Sequence, residues 1–154
     1  MARALLFFGV MATVADIISQ KGSTAHSVAP QATVYEAIEK MVQNNIGALL
    51  VVDGAALVGI VTERDYLRRI AVEGRTSKGT LVSAIMSTRL TTVALGTTVE
   101  RCMQIMTERR IRHLPVVAGS RIAGVVSIGD IVKNLMREQA NHIEHLTEYI
   151  QGRA

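Results

Sequence analysis

A chain of 154 residues makes one ordinary domain or two small ones sharing a core, and 49% hydrophobic against 19% charged residues is a globular composition, not a disordered one. The net charge of +4 favours anionic partners without choosing among them, but aromatics at 3% are too few for a single-strand stacking platform, which disfavours nucleic acid. A single cysteine, Cys102, excludes an internal disulfide and suits a reducing compartment, so a cytoplasmic protein is expected.

Residues 1–10 form an apolar arm too short to cross a bilayer, with no small-residue cleavage site behind it. A buried strand or a pairing arm is expected there, and no membrane association. After an extended run at 25–28, Thr33 and Glu36 have the spacing of a capping box. They open a helix whose Ala37, Ile38, Met41 and Val42 share one face as far as about Asn45. Apolar runs at 48–52 and 57–61, joined by Asp53-Gly54, predict a hairpin. Thr62-Glu63-Arg64-Asp65 then starts a second helix. Polar, glycine-bearing residues 73–79 predict a linker.

The pattern then returns. An extended run at 90–94 precedes a helix at 98–110, strands at 113–117 and 122–126, and a helix after Ser127. The apolar positions of that helix, Ile131, Leu135, Met136, Ile143, Leu146 and Ile150, continue almost to the chain's end. Residues 33–68 align with 98–133 without a gap, identical at 11 of 36 positions, so the unit β-α-β-β-α is duplicated. Both hairpins are almost wholly apolar, which calls for cover on both sheet faces. One unit of about 60 residues hardly provides it, and two packed sheet to sheet do.

The units end alike, in Gly59-Ile-Val-Thr-Glu-Arg-Asp65 and Gly124-Val-Val-Ser-Ile-Gly-Asp130. Thr62 with Asp65, and Ser127 with Asp130, fit a capping box at a helix start. Two occurrences suggest a further use. An ionised Asp accepts hydrogen bonds from two adjacent hydroxyls, as on a ribose diol. The Thr or Ser hydroxyl and the free helix amides suit a phosphate oxygen. Arg64 and Arg112 supply the cations that let carboxylate and phosphate coexist. A ribonucleotide satisfies all these groups together.

With Ile111-Arg-His-Leu-Pro-Val-Val117 before the second hairpin, these motifs resemble a tandem pair of CBS (cystathionine β-synthase-type) domains, a Bateman module, over residues 11–137. The resemblance implies an α/β fold of two CBS repeats packed sheet to sheet with pseudo-twofold symmetry, divided as repeat 1 at 11–72, linker at 73–79 and repeat 2 at 80–137, with a helical tail at 138–154. It implies a regulatory module that binds AMP, ADP or ATP, and in some members NAD(H) or S-adenosylmethionine. Asp65 and Asp130 match the ribose-binding aspartates, and Thr62 and Ser127 the hydroxyls near phosphate. Arg112 and His113 match a basic pair reaching phosphate, with Arg64 a further cation. Ser27-Val28 and Thr92-Val93 match segments whose backbone reads adenine. Gly47 and Ala48 replace Arg112 and His113 in the first copy, so the two clefts are not equivalent. The implied partners are the nucleotide, a second copy of the chain and an unidentified regulated protein.

No nucleophile–base pair, metal cage or phosphate loop supports turnover, so neither an enzyme nor a metal site is expected. His142 and His145 are read as solvent-facing, and Arg109 and Arg110 as cations complementing a helix end. The competing reading is a dimeric scaffold whose clefts bind nothing.

Overall fold

The computed structural model describes residues 12–152; the arm at 1–10 lies outside the described residues. Helix α1 spans Val14–Lys21, β1 Ser27–Val28 and α2 Val34–Asn44. Strands β2 (Ala48–Asp53) and β3 (Ala56–Thr62) form the first hairpin, and α3 (Glu63–Tyr66) runs into a π-helical turn at Leu67–Ala71. In the second half come a 3₁₀ turn at Val82–Ala84, α4 (Val99–Arg109), β4 (His113–Ala118), β5 (Arg121–Ser127) and the long α5 (Ile128–Ile150).

The halves repeat down to their irregularities. Thr33 and Glu36 close their capping box, with Thr33 N donating to Glu36 Oε2 at 2.7 Å and Glu36 N to Thr33 Oγ1 at 3.2 Å. Both α2 and α4 end on a left-handed residue, Asn45 at φ 51° and Arg110 at φ 54°. Asparagine tolerates that conformation, whereas an arginine needs its surroundings to hold it there. Each hairpin is antiparallel, with a register shift at the same place, between Val51 and Val52 and between Val116 and Val117. β1 adds a parallel strand beside β2, and in the second half Val93 makes the matching parallel bridge to Val116.

Strand alternation explains the cover on both faces. Leu49 and Val51 enter the core of their own half, together with Val34, Ala37, Met41 and Val61. Leu50, between them, points to the opposite face and is still only 1% exposed; its counterpart Pro115 is buried too.

The duplication is longer than the ungapped alignment indicates, and its two halves are interlaced. Val14-Ala-Asp-Ile17-Ile18-Ser19 returns sixty-eight residues on as Val82-Ser-Ala-Ile85-Met86-Ser87. The first segment opens repeat 1 but packs in the second core, with Val99, Cys102, Met106 and Leu114; the later one packs in the first core. Matching backbone bonds hold both crossings: Val14 N to Thr97 O and Val82 N to Ala32 O, each at 2.8 Å. The motif glycines make room for them. A Cβ on Gly59 would lie 2.7 Å from Met86 Sδ and 3.0 Å from the Ser87 carbonyl oxygen, and one on Gly124 would lie 2.7 Å from Ile18 Cδ1. The span 11–72 thus includes α1, whose side chains serve the other half.

Candidate ligand-binding site

Both motif aspartates sit at the third position of a helix and cap it. Thr62 N donates to Asp65 Oδ2 at 2.8 Å, Thr62 Oγ1 donates to the same oxygen at 3.0 Å, and Asp65 N donates to Thr62 Oγ1 at 3.3 Å. The second copy repeats this, with Ser127 N to Asp130 Oδ2 at 2.8 Å and Asp130 N to Ser127 Oγ at 3.2 Å. Among the described residues, hydrogen bonds to both carboxylates fall on Oδ2, so each Oδ1 keeps its accepting capacity.

The sites differ in their cations. Lys21, on α1, reaches Asp130 Oδ2 at 2.7 Å and donates to the Val125 carbonyl at 2.8 Å. Burial alone would raise the Asp130 carboxyl, but the Lys21 ammonium and the Ser127 amide outweigh it and hold the group below the ordinary carboxylate value. Arg89 is the counterpart of Lys21 in the repeated segment; it is exposed, and among the described residues it makes no ion pair with Asp65.

His113 lies in the same charged neighbourhood. Burial lowers its pKa, Glu63 and Asp130 oppose that shift, and Lys21 and Arg112 add to it, so the imidazole is neutral near pH 7. The backbone ties the two helix starts to this centre in equivalent ways: Glu63 N donates to Gly47 O at 3.0 Å and Ile128 N to Arg112 O at 2.9 Å. A Cβ on Gly47 would lie 3.4 Å from Glu63 Cδ, so the glycine that replaces Arg112 has a carboxylate beside it. Arg64 crosses to the other copy, donating from Nη1 to Arg110 O at 3.4 Å. With Arg110, Arg112, Met106, Thr107 and Ile128 it lines an open cleft between the halves.

The two extended segments are also unequal. Val93 is committed to β4, donating to Pro115 O at 3.0 Å and accepting from Val117 N at 2.9 Å. Its exposed neighbour Thr92 stands at the outer edge. In the first copy Val28 pairs with Val51, and the Ser27 carbonyl accepts from Lys40 Nζ at 2.6 Å. The position corresponding to Lys40 in the second copy is Ile105, which cannot donate.

These paired helix starts, the interlaced segments and the cross-copy arginine make up a two-repeat module. A family profile for the CBS domain matches residues 12–72 and 82–137. The chain belongs to the CBS-domain family. It is 45% identical over 149 residues to the CBS domain-containing protein CBSX3, mitochondrial, of Arabidopsis thaliana, covering 91% of this chain and 72% of that one. Among solved structures, a protein with CBS domains from Burkholderia ambifaria is 45% identical with a TM-score of 0.81, over 83% of this chain and 96% of that one. The CBS-domain protein ATU1752 of Agrobacterium tumefaciens is 35% identical with a TM-score of 0.77, over 80% and 98%. The CBS pair is therefore nearly the whole of the described chain.

Lys21, Lys40 and Glu63 are the site neighbours that the sequence reading passed over. Lys21 had a signal: it stands three residues after Ile18 in the repeated segment, as Arg89 does after Met86. Lys40 and Glu63 had none, because a charged residue on an amphipathic helix reads as solvated. Among the described residues no cluster of His, Cys, Asp and Glu has metal-ligand geometry, and no helix is long and apolar enough to cross a membrane.

Proposed function

We propose that the protein is a regulatory CBS pair that senses an adenosine nucleotide and passes its occupancy to a partner protein or to its own assembly state. AMP, ADP and ATP fit the site chemistry, and NAD(H) and S-adenosylmethionine belong to the same adenosine class. The observation that carries the reading is the pair of equivalent helix starts, each with an open carboxylate oxygen, flanking a cleft lined by Arg64 and Arg112. Asp65 and Asp130 hold the ribose diol through Oδ1 while Oδ2 keeps its cap. Thr62, Ser127, Arg64, Arg112 and His113 surround the phosphates, and the outer backbone edges at Ser27-Val28 and Thr92-Val93 meet adenine.

Bound nucleotide stiffens one copy against the other and shifts the population of helical surfaces offered outward. A second copy of the chain is the expected partner; a relative, the CBS-CP12 protein of bloom-forming cyanobacteria, is hexameric. The buried thiol Cys102 suits a reducing compartment such as the cytoplasm.

One observation favours a rival reading, a scaffold without ligand: Lys21 already neutralises Asp130. Calorimetry with AMP, ATP, NAD, NADH and S-adenosylmethionine decides, and heat with none of them selects the scaffold. Where a ligand binds, Asp65→Ala and Asp130→Ala each weaken their own cleft by roughly 10- to 1,000-fold, from one or two charge-assisted hydrogen bonds of about 1.5–3 kcal/mol. The lost cap costs about 1 kcal/mol, so both variants stay folded. Unchanged affinity in both, or equal binding of the 2′,3′-dideoxy analogue, refutes the ribose contact.

A further inference from the structure

We propose that Lys21, carried in by the interlaced helix α1, makes the Asp130 cleft select phosphorylated adenosine over the bare nucleoside, and that the bound phosphate in turn clamps the end of α1. A lysine in the last turn of a helix complements the helix dipole wherever it points. That general role does not explain where this one goes. Lys21 Nζ lies 2.7 Å from Asp130 Oδ2 and 2.8 Å from the Val125 carbonyl oxygen, both in the other half of the molecule.

The packing brings the ammonium there. Ile18 Cδ1 lies 2.7 Å from where a Cβ on Gly124 would stand, so α1 rests against β5 one residue before Val125. Helix α1 continues through Lys21, which sets that side chain one turn beyond Ile18 on the same face. The repeated segment is helical only over Val82–Ala84. Arg89 follows Met86 at the same spacing, yet it is exposed and has no ion-pair partner among the described residues.

A ribose diol donates to a carboxylate and gains from its charge, whereas a phosphate a few ångströms away is repelled by it. Asp130 is ionised in the fold: burial opposes the charge, and Lys21 and Ser127 hold it. Lys21 offsets that charge from the Oδ2 side and leaves Oδ1 to the sugar. An ammonium has three donors; two are placed, and the third remains for a phosphate oxygen. Beyond burial, Lys21 also helps to keep the His113 imidazole neutral, so it stands among the groups read as surrounding the phosphates while His113 adds no charge of its own. Removing Lys21 therefore acts on a phosphate and hardly on a neutral nucleoside. By linkage, the phosphate favours the docked position of Lys21 and steadies the last turn of α1.

This role rests on the nucleotide reading above, and the test separates the two. Calorimetry with AMP and with adenosine is run in an Asp65→Ala background, which leaves the Asp130 cleft to report. Lys21→Met weakens AMP about 5- to 10-fold, the effect of one unit charge roughly 5 Å away at a partly exposed site, and moves adenosine by less than about 2-fold. Lys21→Arg restores AMP. Arg89→Met makes the same change in net charge and alters neither ligand. AMP slows amide exchange in the last turn of α1, where Gly22 N donates to Ile18 O at 2.8 Å. Adenosine does not, and Lys21→Met abolishes the slowing. Equal losses of AMP and adenosine mean that Lys21 only supports the fold, and unchanged AMP means that its charge does not reach the ligand. Either result overturns the proposal and leaves the nucleotide reading standing. Binding of neither compound to the Asp65→Ala protein removes that reading at this cleft, and the role of Lys21 with it.

Discussion

Replacing Lys21 by Met and Asp130 by Asn, singly and together, isolates their ion pair from the packing around it. The side chains are 33% and 19% exposed, so the pair lies between a surface pair of about 0.2–1 kcal/mol and a buried charge-assisted bond of about 1.5–3 kcal/mol. A coupling energy of about 1 kcal/mol is expected at pH 7, equivalent to roughly 2–4 °C in a chain of this size. The Val125 bond to Lys21 is lost in both arms of the cycle and cancels. Because the folded Asp130 carboxyl is held below its unfolded value, the stabilisation is complete above the ordinary carboxylate pKa of about 4 and is lost as pH falls through the folded value. Urea unfolding of the four proteins at pH 7 and in stronger acid measures both points. Lys21→Met with Asp65→Asn is the control and couples negligibly. A Lys21–Asp130 coupling below about 0.3 kcal/mol at pH 7, or one that persists once Asp130 is protonated, refutes the argument.

Gly59→Ala pushes a methyl against the Ser87 carbonyl, which Ile60 holds through reciprocal backbone bonds of 3.0 and 2.9 Å, so a loss of about 1–3 kcal/mol is expected in urea. Gly96→Ala meets nothing within 4 Å and stays within about 0.5 kcal/mol; equal midpoints for the two would refute the crossing role. Burial raises the Cys102 thiol above its ordinary value. It should resist a thiol reagent in the native protein and react on unfolding, and rapid native labelling would contradict its place in the core.

The repeat was legible because both copies face the same local demands. A hydroxyl and a carboxylate at each helix start and apolar hairpin strands, with a glycine at each strand crossing, survive as identities at Thr33, Leu49, Gly59 and Asp65 and their counterparts. The interlacing was not legible. Nothing in Val14–Lys21 says which core it enters, since an amphipathic helix fits any apolar face of the right shape, and the change of offset from 65 to 68 hid its partner segment. Asp65 and Asp130 were readable as residues but not as bonds: capping and ribose binding make the same demand on sequence, and only geometry separates Oδ2 from Oδ1. Lys40 reaches the Ser27 carbonyl across the fold, where spacing along the chain carries no information.

The swapped segments bear on how this protein tolerates damage. A cut near residues 23–26 would leave repeat 1 with every residue of its own buried cluster, yet strip the opposite half of Val14, Ile17 and Ile18. Injury at one end of the polypeptide would be felt in the other lobe, so neither lobe should survive expression alone, and heat or urea should melt both in one step.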